Sequence, residues 1–190
     1  MVKKAKKKFQ NVYQVFGING TFNIIQSKKI KIVRIDVMAG GMAENKSWVA
    51  NLIRAKSLPV HRTPKMQFLK QFSGKRTQGI VVTFTGKIIK NLPSFGKNRR
   101  NICLLAMDNV EDPQNLGQII RTSECAGIDG ILIPEHGNAQ ATNTVLQVSQ
   151  GAFIHIPLYH CGNLHQELRN LKSHGFWIVG MENSIKAKYW

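Results

Sequence analysis

The chemistry-bearing residues of this chain crowd into one stretch, Asp108 to Gly127, where a polar, turn-rich loop follows an apolar run and leads into a helical pattern. In open α/β sheets, ligands bind where a strand's carboxyl end meets the next helix. Pro113 fixes one backbone angle, and Asn115 behind it is placed to cap the helix with its side chain. The unpaired amides of that first turn favour an anion. Along the helix Leu116, Ile119, Ile120 and Ser123 recur at the spacing that faces a sheet, which leaves Arg121 on the other side, free for a ligand. Gly117 lies one turn before Arg121, and its missing side chain predicts a shallow space for a ribose or phosphate beneath the guanidinium. A permanently charged planar fork suits phosphate. The same physics also describes an ordinary surface helix.

The elements that must position this stretch read as two α/β units. After a basic tail (1–12), Val15–Ser27 suggests a helix and Lys31–Val37 an alternating strand. A helix over Ala43–Ser57, a short strand Leu58–His61, a proline-opened helix Pro64–Phe72 and a β-branched strand Gly79–Thr85 complete a module over 13–86. Residues 87–100 break any apolar period and read as a basic linker. In 101–190 strands are expected at Ile102–Met107, Gly130–Ile133, Phe153–Pro157 and Phe176–Met181. Helices are expected at Asn115–Ala126, Thr142–Ser149 and Leu164–Ser173. Repeated β-α-β units imply a mainly parallel sheet.

Charge narrows the partner. Twenty-seven Lys and Arg face 10 Asp and Glu, a formal net charge of +17, and such a surface gains affinity for RNA by releasing condensed counterions. No apolar run approaches the roughly 20 residues that cross a bilayer, so no membrane role is expected. Cys103, Cys125 and Cys161 form no C-x-x-C pair, which argues against a disulfide framework or a zinc site and favours a reducing cytoplasm.

The order of residues goes further. Asp108, Val110, Asp112, Pro113, Asn115, Gly117, Arg121 and Gly127 resemble the first signature motif of the SpoU (TrmH-like) group of knotted SPOUT RNA methyltransferases. Ser149-Gln150-Gly151-Ala152 followed by Ile156-Pro157-Leu158, and the run Phe176–Gly180, resemble later segments of the same family. Val15–Gly20 and Thr77–Val81 resemble pieces of the ribosomal-protein-like RNA-binding module that many members carry. The resemblance implies an α/β trefoil-knot catalytic domain, S-adenosylmethionine as donor, a ribose 2′-hydroxyl of ribosomal or transfer RNA as acceptor, and a homodimer. It also places Asn115 and Arg121 at the catalytic site. A guanidinium is a poor base, so positioning of phosphate and transition state is the preferred role for Arg121 over deprotonation.

Two departures qualify this. The family's Gly-x-Glu-Gly and Ser-Leu-Asn-x-Ser segments, which build the donor pocket and the knot, have no counterpart before Trp190. The expectation is therefore an incomplete methyltransferase domain with most of its donor pocket absent, by truncation or as a short form that binds RNA without catalysis. Gln147 stands where relatives often have a basic residue. Lys28, Arg62 and Lys65 in the first module and Arg99 and Arg100 in the linker are candidate RNA contacts, together with Gly117. A solvated surface explains the charged ones equally well. His136, His155 and His160 match no usual metal-ligand spacing, so no metal is expected.

Overall fold

A computed structural model of the chain describes residues 11–55, 57–95 and 101–181. Among these, two four-stranded sheets are formed. The first is mixed and takes β1 (Val12–Phe16), β2 (Lys31–Met38), β3 (Val60–Thr63) and β4 (Ile80–Thr85) in the order β1-β4-β2-β3. Here β4 runs antiparallel to β1 and β2, and β3 lies parallel to β2. Its helices are α1 (Ile18–Gln26), α2 (Ser47–Ala55) and α3 (Lys65–Gln71). The second sheet takes β5 (Ile89–Asn91), β6 (Leu104–Ala106), β7 (Gly130–Pro134) and β8 (Leu158–Cys161) in the order β5-β8-β7-β6, with every pairing parallel. Its helices are α4 (Pro113–Cys125), α5 (Asn143–Val148) and α6 (Leu164–Ser173). The expected α/β class and parallel sheet are thus present. All five residues of β7 are buried, as a strand covered on both faces must be.

Four expectations need correction. Residues 12–16 form β1, a strand hidden by the mixed spacing of its apolar residues and held by five register pairs with β4. The basic linker is interrupted by β5, which adds an edge strand to the second sheet, with Ile88 beside it 8% exposed. Phe153–Pro157 is no strand. Gln150 and Gly151 have positive φ (52° and 89°), the chain turns through a 3-10 helix at Ala152–Ile154, and β8 begins only at Leu158. The apolar run there fills the junction between the sheets, where Phe153 stacks on Phe84 of β4 at 6.0 Å. Phe176–Met181 forms no strand either. The Phe176 amide bonds back to the Leu171 carbonyl at 3.1 Å and its ring packs on Phe95, whereas Trp177, Val179 and Met181 are 94%, 82% and 93% exposed. The lysine-rich tail to residue 10 and Gly96 to Arg100 lie outside the described residues.

One apolar cluster crosses the boundary at residue 86. It joins Val15, Ile24, Val82 and Phe84 of the first unit to Leu116, Ile120, Leu146 and Phe153 of the second. The seam is also polar and specific. Gln147 of α5 accepts from the Phe16 amide at 2.8 Å and donates to the Phe16 carbonyl at 2.9 Å. Asn143 accepts from the Gln14 amide at 3.0 Å. Those are the outward-facing backbone groups of an edge strand, which an unpaired edge would leave open to association. Gln147 therefore faces the first unit, which explains why a basic residue is not needed there for this contact.

Candidate functional site

Most positions of the Asp108–Gly127 motif do structural work in this chain. Asp112, not Asn115, caps α4: its carboxylate accepts from the Gln114 amide at 2.8 Å, with Pro113 opening the helix. Asn115 sits inside the first turn, so its side chain is released from capping. The loop before the helix is held to the loop after β7. The Val110 amide donates to Asn138 at 2.9 Å, and the Ala139 amide donates to the Val110 carbonyl at 2.8 Å. At the far end Gly127 has φ 73°, and the amides of Gly127 and Ile128 reach back to Glu124 and Ser123 at 3.1 and 3.0 Å. A glycine with left-handed φ closes a helix in this way.

Gly117 also changes role. It is buried, and a Cβ there would lie 2.6 Å from the Val148 Cβ and 3.0 Å from the Val145 carbonyl oxygen. It lets α4 and α5 approach closely, and it is not the floor of a ribose site. The sequence missed this because a glycine kept for packing and one kept for a ligand look alike.

The residues that remain are Asp108, Asn115 and Arg121, all exposed. None makes a side-chain hydrogen bond or ion pair with another described residue. Six positions along a helix separate Asn115 from Arg121 by roughly 9 Å of rise and roughly 120° of rotation, so the two flank α4 and do not converge on one point. Asn115 lines an open hollow of about 610 Å³ with Gln118, Ile119 and Thr122 of α4 and Leu105 and Val110 at the β6 end. Asp108, exposed just beyond the carboxyl end of β6, is a motif residue that the sequence alone does not mark as a site residue.

The candidate RNA contacts of the first unit are not one patch. Lys28 precedes the start of β2, and Arg62 pairs in register with Val37 near its other end, roughly 20 Å away along the strand. Arg62 is engaged by Glu44, whose carboxylate also accepts from the Gly40 amide at 2.7 Å. The hydrogen bond from Arg62, then that from Gly40, holds the Glu44 carboxyl below the usual carboxylate range. Lys65 is exposed at the start of α3. Arg99 and Arg100 lie outside the described residues. Among the described residues no cluster of His, Cys, Asp or Glu is placed to hold a metal ion, and no helix is long and apolar enough to cross a membrane.

Residues 103–189, which contain α4 and its flanking loops, match the model of the SpoU rRNA methylase family. Over these residues the chain is similar to the SpoU/TrmH family. A Staphylococcus haemolyticus protein assigned to the TrmH family of tRNA/rRNA methyltransferases is 28% identical over 170 residues, covering 81% of this chain and 68% of that one. A Staphylococcus saprophyticus relative of the same description reaches 42% over 86 residues, 45% of this chain and 34% of its own. Among solved structures, the AdoMet-bound rRNA methyltransferase of Sinorhizobium meliloti superposes with a TM-score of 0.65 at 20% identity, covering 86% of this chain and 59% of that one. An RNA 2′-O ribose methyltransferase superposes at 0.66 and 17% identity, over 87% and 60%. At these identities the likeness is one of fold. The chain spans about three fifths of the length of these two solved methyltransferases.

Proposed function

We propose that this chain serves methylation of RNA, with S-adenosylmethionine as donor and a ribose 2′-hydroxyl as acceptor, ribosomal RNA ahead of transfer RNA, in a homodimer. The observation that carries this reading is the accounting of the motif on α4. Once capping, packing and helix closure are assigned, Asp108, Asn115 and Arg121 are left exposed, without a side-chain hydrogen-bond or ion-pair partner among the described residues. A side chain with no structural duty at a strand's carboxyl end is suited to a ligand. Arg121 then holds a phosphate of the acceptor strand, and Asn115 positions the ribose.

The described residues do not fit the donor. After α6 they form no strand, and Trp177, Val179 and Met181 point into solvent, where an adenosine site needs enclosing walls. They supply the RNA-facing part of the site only. This same observation favours a second reading, an RNA-binding protein without catalysis.

Incubation with tritiated S-adenosylmethionine and a ribosomal RNA transcript separates the two. Label that blocks alkaline cleavage at one nucleotide, and that is lost with Arg121→Ala, supports methylation of a ribose. RNA binding without label supports the second reading, and near-normal turnover of Arg121→Ala removes Arg121 from the site.

A further inference from the structure

The seam between the two units encloses a cleft of about 270 Å³ that the motif does not touch. Its cationic rim comes from three places: Lys29 from the turn before β2, Lys87 from the crossover after β4, and Lys90 from β5. His155, exposed after the 3-10 turn, and Tyr159 of β8 complete its polar lining, and among the described residues no carboxylate lines it. The Lys29 ammonium donates to the Ile154 carbonyl at 3.0 Å, which ties the first unit to the floor of the cleft and leaves two of its three protons for a ligand. Lys87 and Lys90 are exposed and have no hydrogen-bond or ion-pair partner among the described residues. Burial first, and the field of Asp129 second, push the Tyr159 phenol above its ordinary value, so it stays a proton donor. Gly130 makes room for that ring, since a Cβ there would stand 2.5 Å from it.

We infer that this cleft binds the phosphodiester backbone of RNA, with Lys29, Lys87 and Lys90 gripping phosphates across the junction of the two units. The inference rests on the RNA reading above and adds a second contact region remote from Arg121. Ammonium groups on both sides of a seam attract a polyanion, and the contact neutralises charges that otherwise repel each other. A bound strand would also bridge the two units and hold them in one orientation. Lysines are point-charge donors, so the grip reads backbone and not base sequence.

The test is a salt titration of the 190-residue chain with a fluorescein-labelled ribosomal stem-loop RNA. Lys87→Gln/Lys90→Gln should bind roughly tenfold more weakly near 0.1 M salt, with a slope of log K on log salt shallower by about two. A charge-matched control, Lys46→Gln/Lys172→Gln, should change both much less, and the melting temperatures of both double variants should match the parent. Equal losses in both pairs would overturn the cleft in favour of a diffuse field. Unchanged affinity in Lys87→Gln/Lys90→Gln, with the parent binding RNA, would overturn the cleft alone. A parent that ignores RNA but binds phosphatidylserine vesicles through these lysines would overturn the RNA reading as well.

Discussion

The edge strands β1 and β6, one in each sheet, are treated differently. The outer edge of β1 is covered: Gln147 and Asn143 reach from α5 to satisfy the backbone groups of Phe16 and Gln14. The outer edge of β6 has no neighbouring strand among the described residues, and the open hollow beside α4 lies against it. The covered edge belongs to an interface that a shared apolar core makes permanent. The open edge lies beside the hollow that Asn115 lines. An edge is blunted where association would be a hazard, so the polar side chains of α5 are used for assembly and those of α4 remain for a ligand.

Parting α4 from α5 should have the largest effect on this division. Gly117→Val forces a branched side chain onto Val148 and the Val145 carbonyl and should lower stability by about 3 kcal/mol. Val148→Ala in the same chain should restore part of it. Because the core is shared, a single denaturation transition should shift, and two separate transitions would show that the units are independent. Gln147→Ala should cost about 1 to 2 kcal/mol by leaving the Phe16 amide and carbonyl unpaired. Hydrogen exchange should quicken at Phe16 and stay unchanged at Ile35 in the interior strand β2; equal quickening at both would mean general loosening. Arg121→Ala, on the other flank, should alter stability by no more than about 0.5 kcal/mol, and a larger loss would show that Arg121 supports the fold.

The smallest effect is one of pH. A carboxyl whose folded value is depressed adds stability above its unfolded value and loses it as pH falls. Glu44 should therefore contribute acid sensitivity between about pH 5 and 3, and Glu44→Gln should flatten it. Since Arg62 and Glu44 both lie in the first unit, an unchanged acid profile would show that the pair adds nothing there.

Much of the second unit was legible in the order of residues. Leu164–Ser173 is a helix with the expected bounds, and β7 extends the expected strand by one residue to Pro134. The motif helix also formed, although its cap is Asp112. Legibility failed where neighbours decide. Val12–Phe16 becomes a strand because β4 offers a ladder, and Ile89–Asn91 becomes one because β8 does. Phe176–Met181 has the apolar character of a strand but joins no ladder among the described residues, so it stays irregular.

By itself, then, the sequence determined the resemblance to the SpoU motif, the α/β class, the parallel second sheet and the helix that bears Asn115 and Arg121, because local pattern and an ordered motif carry those properties. Tertiary structure alone decided that Gly117 packs against Val148, that Gln147 seals the edge of β1, that Arg62 is engaged by Glu44, and that Lys29, Lys87 and Lys90 share one cleft. Each of these joins residues distant in the chain. Whether such a side chain faces a helix, a strand edge, a carboxylate or a ligand depends on what the fold brings beside it.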